Sequence, residues 1–189
     1  MHTVELKSAG YDEEVRHREA VSLIAGAGLD RSAPSTWVDL GSGDGVFTRA
    51  LADLIAPRSV IHAIDRDSRA LEQIAAHPLV RIETHAGDFT TTRWPVDHAD
   101  GILMANSLHY IEGQSEFLQR CAASLTARGV LLFVEYDTEA ANPWVPYPVS
   151  RRRLEMLFEE WGEVRFLGTR PSAFRRASLY SAVVRITGV

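Results

Sequence analysis

The run Asp39-Leu-Gly-Ser-Gly-Asp-Gly45 gathers residue types that can hold a small polar ligand. Gly41, Gly43 and Gly45 stand at alternate positions, so the backbone there can take positive φ and a ligand can lie against main-chain atoms. Ser42 lies within the same turn, and Asp39 stands two residues before its first glycine, where a carboxylate can reach a cationic group. The turn opens on a helix expected to start near Val46, whose unpaired amides suit polar or anionic groups. The chemistry indicated is the binding of a small-molecule cofactor. Position 46 is Val, which breaks the G-x-G-x-x-G fingerprint of a dinucleotide pyrophosphate, and no G-x-x-x-x-G-K-[ST] loop is present. Asp65, 20 residues after Gly45, can accept from both hydroxyls of a ribose. Arg66 follows it and can lie over an aromatic base.

These residues need strands and helices to position them, and the pattern supplies both. Apolar runs predict strands at residues 38–40, 59–65, 80–84, 101–105, 130–135, 163–167 and 179–186. Helical spacing predicts helices at 12–28, 46–56, 69–76 (capped by Ser68), 115–125 (ended before Gly129) and 150–161. Alternation of strand and helix predicts an α/β fold: a Rossmann-like, seven-stranded, mostly parallel sheet with helices on both faces and an antiparallel hairpin at one edge. In such sheets the ligand sits at the carboxyl ends of the strands, where the strand order reverses. Residues 137–149 form a long irregular segment at that end, stiffened by three prolines. Trp144 and Tyr147 within it, with Arg151 at its edge, are expected to bind the acceptor substrate as part of a lid.

The glycine turn D-L-G-S-G-D-G resembles that of class I S-adenosylmethionine-dependent methyltransferases, and the strand pattern extends the resemblance from residue 38 to the C-terminus. The resemblance implies S-adenosylmethionine as the cofactor. It implies that Asp39, Gly41, Ser42, Gly43 and Gly45 hold its methionine end, Asp65 and Arg66 its nucleoside, and Asp88 and Phe89 its adenine. Asn106 would border the methionine part, and Tyr11, from a segment covering the cofactor, would be a further substrate-binding residue. The segment Asn106-Ser-Leu-His109 lacks the Asn/Asp-Pro-Pro-aromatic signature of enzymes that methylate exocyclic amines, so the likeness is to the small-molecule branch. Methyl transfer from a sulfonium needs an aligned nucleophile, and a hydroxyl or ammonium nucleophile must also lose a proton. His109 is the expected general base, since imidazole titrates in the useful range.

Composition limits the rest. A chain of 189 residues implies one domain or one domain with a small appendage, and the resemblance divides it into a helical cap segment at 1–35 and a class I methyltransferase domain at 36–189. Its net charge of −5 disfavours broad nucleic-acid binding. Residues 150–189, with eight arginines against four glutamates, are locally basic, so an anionic small-molecule acceptor is among the expected partners. No run reaches the ~18 apolar residues of a membrane span, and the N-terminus lacks a secretory pattern, so a cytoplasmic protein is expected. Cys121 is the only cysteine, and His2, His17, His62, His77, His85, His98 and His109 show no ligand spacing, so no metal site is expected. Oligomeric state is not legible. Besides a methyltransferase, two readings stay open: a catalytically inactive S-adenosylmethionine-binding partner subunit and, against the evidence of Val46, a nicotinamide dehydrogenase.

Overall fold

The computed structural model describes residues 2–171 and 177–187, with side chains from residue 13 onward. Seven strands form one sheet: β1 (Thr36–Leu40), β2 (Val60–Asp65), β3 (Arg81–Ala86), β4 (Ala99–Ala105), β5 (Leu125–Tyr136), β6 (Gly162–Pro171) and β7 (Ser178–Ile186). Their order is β3-β2-β1-β4-β5-β7-β6. Strands β1 to β5 are parallel, and β7 runs antiparallel to both β5 and β6. The expected closing hairpin is present, with its second strand inside the sheet and its first at the rim. Burial explains the placement. Residues 179–184 of β7 are all buried, whereas β6 alternates exposed and half-buried positions, as suits an edge.

Alternation along the strands divides the apolar residues into two cores, one on each face. Val38, Ile102, Met104, Leu131, Phe133 and Tyr180 face the helices α4 (Gln114–Ala123) and α5 (Arg151–Phe158). Trp37, Ile61, Leu103, Leu132 and Val183 face α1 (His2–Ile24) and α2 (Val46–Ala52). Each fully buried aliphatic side chain contributes roughly 1.5–3 kcal/mol, so both faces are held firmly.

The boundaries depart from expectation where local signals compete. The first helix starts at His2 rather than residue 12, since no proline interrupts the preceding stretch. It gives way to a 3₁₀ turn at Ala25–Ala27, closed by Gly28 at φ 68°. The cap of α3 (Ser68–Leu71) is Asp67 rather than Ser68, its Oδ1 accepting from the amides of Arg69 and Ala70. Gly129 does not stop a helix before the fifth strand, because β5 begins at Leu125 and runs through it. The N-terminal helix packs into the rest of the molecule. Arg16 pairs with Asp44 at 3.1 Å, Glu13 with Arg49 at 2.7 Å, and Leu23 and Ile24 join the core. Strand order reverses between β1 and β4, which opens a crevice at their carboxyl ends.

Candidate functional site

A cavity of about 1120 Å³ occupies that crevice. Its floor is the turn after β1. Gly41 takes φ 81° and donates its amide to the carbonyl of Ile64 at 2.8 Å. A Cβ there would lie 2.6 Å from the Cβ of Ser107, so only glycine lets the turn and the segment after β4 approach this closely. Gly43 donates to Asp65 Oδ2 at 2.8 Å, which ties the turn to the tip of β2. Gly45 does not line the cavity. Its φ is 79°, and a Cβ there would lie 2.7 Å from Ile74, so this glycine serves packing behind the turn.

Of the expected cofactor residues, Asp39, Gly41, Ser42, Gly43, Asp65, Arg66, Asp88, Phe89 and Asn106 all line the cavity. Asp39 is fully buried, and its Oδ2 accepts from Thr48 Oγ1 at 2.6 Å. Burial pushes its carboxyl up to about 7, with the Thr48 hydroxyl opposing the rise and the Asp65 charge adding to it. Four polar atoms around this wall are buried without a hydrogen-bond partner: Asp39 Oδ1, Ser42 Oγ, Asn106 Oδ1 and Ser107 Oγ. Such groups are costly unless a ligand satisfies them. Asn106 holds φ 55°, a conformation that Asn tolerates better than most residues, and its amide is tied to the Val134 carbonyl at 2.7 Å.

The other two carboxylates are built into turns. Asp65 Oδ1 accepts from the amide of Asp67 at 2.9 Å while Oδ2 holds Gly43, so each oxygen keeps one lone pair for a ligand. Asp88 Oδ1 accepts from both the amide and the hydroxyl of Thr90, which holds its carboxyl below the usual carboxylate range. Arg120 fixes the same loop, donating to the carbonyls of Phe89 (2.7 Å) and Thr90 (2.5 Å), with its guanidinium 4.7 Å over the Trp94 ring.

His109 does not line the cavity. Its residue is 2% exposed, and Nδ1 meets Glu135 Oε2 at 2.6 Å. Glu135, fully buried, also accepts from the amides of Leu108 (2.9 Å) and His109 (3.3 Å), which locks the 3₁₀ turn Leu108–Tyr110. Tyr110 and Tyr136, whose rings lie 4.4 and 6.0 Å from the imidazole, do reach the cavity. The expected acceptor residues stand apart from it as well. Trp144 is 63% exposed, Tyr147 is 38% exposed, and Arg151 packs its guanidinium 4.1 Å over Phe166. The side chain of Tyr11 lies outside the described residues.

Sequence reasoning missed Glu135, Arg120 and the rim made by Arg16, Glu19 and Arg170, where Arg170 and Glu19 pair at 2.5 Å. Glu135 did leave a signal, since an acid closing an apolar strand is the same pattern that marked Asp65. The rim left none, because it joins residues some 150 positions apart.

Comparison with known proteins adds the following. Residues 38–131 match a family model described as a methyltransferase domain. No curated protein matches the chain by sequence. Many solved structures do match its fold. One is the plantazolicin methyltransferase BpumL in complex with SAH: 12% identity, 96% of this chain, 89% of that one and TM-score 0.63. A SAM-dependent methyltransferase from Leishmania major has 17% identity, 98% and 77% coverage and TM-score 0.69. The CcbJ methyltransferase from Streptomyces caelestis has 15% identity, 92% and 90% coverage and TM-score 0.62. At these identities the likeness is one of fold. No helix among the described residues is long and apolar enough to cross a membrane.

Proposed function

Because the chain belongs to the S-adenosylmethionine-dependent methyltransferases, we propose that it transfers a methyl group directly and in line to a nucleophile on a small or exposed acceptor. The observation carrying this reading is the set of orphaned buried polar atoms on one cavity wall. Asp39 Oδ1 is placed to accept from an ammonium, and Ser42 and Ser107 offer hydroxyls to a carboxylate. Asn106 Oδ1 takes a further donor. The remaining lone pairs of Asp65 suit a vicinal diol, and the free oxygen of Asp88 beside the Phe89 ring suits an aminopurine. That combination fits an amino-acid nucleoside. When bound, S-adenosylmethionine supplies an electrophilic methyl on a sulfonium that departs as a neutral thioether.

The protein's own part is to hold, align and desolvate. Tyr110 and Tyr136 form the wall on the acceptor side. His109 acts as a positioning residue: its bond to Glu135 fixes the turn that presents Tyr110.

The test is turnover. The full chain is incubated with methyl-labelled S-adenosylmethionine and a panel of small acceptors, carboxylates included, followed by a metabolite extract. Label transfer with stoichiometric S-adenosylhomocysteine is expected. Tight binding of S-adenosylhomocysteine without transfer to any acceptor would leave a cofactor-binding partner subunit instead.

A further inference from the structure

Away from the cavity, the register of the β2–β3 pair brings together three groups that lie far apart in sequence. His62 pairs with Glu83, and Ile64 with His85. Side chains two apart on a strand share a face, so His62, Glu83 and His85 project to the same side of the sheet. His62 Nδ1 lies 3.1 Å from His85 Nε2 and 3.2 Å from Glu83 Oε2, and all three ligand atoms fall within 4.8 Å of one another. None of the three lines the cofactor cavity.

We propose that His62, Glu83 and His85 form a binding site for a divalent transition-metal ion of the zinc class. Ligands about 2.0–2.1 Å from a tetrahedral ion stand about 3.3–3.4 Å from each other, close to the two measured separations. Proton counting agrees. Two imidazole nitrogens and a carboxylate oxygen converge, and a single shared N–H, on either ring, cannot point straight at both of its neighbours, whereas a cation serves all three atoms. His62 is 8% exposed, so water has little access to its ring. Arg81 donates to the other oxygen of Glu83 at 2.7 Å, which orients the carboxylate and leaves Oε2 to the cluster. Two nitrogens and one oxygen select zinc, cobalt or nickel over magnesium or calcium, which take oxygen ligands. A bound ion would clamp the edge strand β3 to β2, and water or an outside ligand would complete its coordination.

The experiment uses the full chain stripped with chelator and titrated with zinc chloride, then with cobalt chloride. We expect one equivalent bound at micromolar affinity or tighter, a rise of several degrees in melting temperature, and visible cobalt bands of four- or five-coordinate type. His85→Ala, at the sheet edge and partly exposed, should abolish all three while leaving S-adenosylhomocysteine affinity intact. Glu83→Gln should weaken zinc binding at least tenfold. A second imidazole–carboxylate grouping, His17 and His77 about Asp53, serves as the control. Zinc binding that survives His85→Ala, or that is lost in His77→Ala instead, overturns the proposal, as does failure to bind zinc at all. Because binding is read by heat, absorbance and melting, the result is independent of whether a methyl acceptor is found.

Discussion

The turn after β1 and the segment after β5 leave the same end of the sheet, yet only the turn enters the cavity. The turn is short, and its backbone is pinned by the Ile64 carbonyl and the Asp65 carboxylate, so its path is set within seven residues. The segment at 137–149 is longer and is directed by where it is anchored. Val145 and Val149 are buried, the amide of Tyr147 donates to the His109 carbonyl, and Gln114 of α4 donates to the Tyr147 carbonyl. Those anchors draw it toward α4 and leave Trp144 in solvent. Here a prolyl, aromatic loop at the right end of the sheet does not line the cavity, whereas a glycine turn with a buried carboxylate beneath it does.

The sharpest way to break the contrast is at the turn itself. Gly41→Ala forces a side chain into Ser107 at a positive φ. We expect at least about a 100-fold loss in S-adenosylhomocysteine affinity by calorimetry and a destabilisation of roughly 2 kcal/mol or more in denaturant melts. Wild-type affinity in this variant would show that the close approach of turn and β4 segment is not required.

The next effect is one of pH. Burial keeps Asp39 protonated below about 7, and a ligand ammonium favours its ionised form. Binding should then release a proton, and S-adenosylhomocysteine affinity should rise about tenfold per unit between about pH 5 and 7 and level off above. Asp39→Asn should lower affinity and flatten the profile. The ligand-free protein carries the opposite trend. Since the folded state holds a proton that the unfolded chain gives up near pH 4, this group's contribution to stability is present below that point. It is lost as pH rises through about 7. Calorimetry in two buffers of different ionisation heat counts the proton directly, and a count of zero at pH 6 would show that the ligand does not engage Asp39.

The smallest effect belongs to the other loop. Trp144→Ala should leave S-adenosylhomocysteine affinity within about twofold and stability within about 0.5 kcal/mol. With a working acceptor, its KM should change less than about threefold. A larger rise in acceptor KM alone would identify the segment as a wall of the acceptor site.

Local chemistry determined much of this protein in advance. Apolar runs of strand length marked the seven strands, because a sheet covered on both faces fills its strands with apolar residues. Asp39, Gly41, Gly43, Asp65 and Asp88, singled out from the glycine turn and from the residues near the strand ends, all line the cavity. Only the tertiary structure decided where nonlocal contacts carry a residue. It moved β7 inside the sheet, set His109 behind two tyrosines on Glu135, and used Gly45 for packing against Ile74. Strand register joined His62 to Glu83 and His85, and the fold of α1 onto β6 brought Glu19 to Arg170. Spacing along the chain cannot report such pairs, since their distance is set by hydrogen-bonded register and helix docking rather than by the number of residues between them.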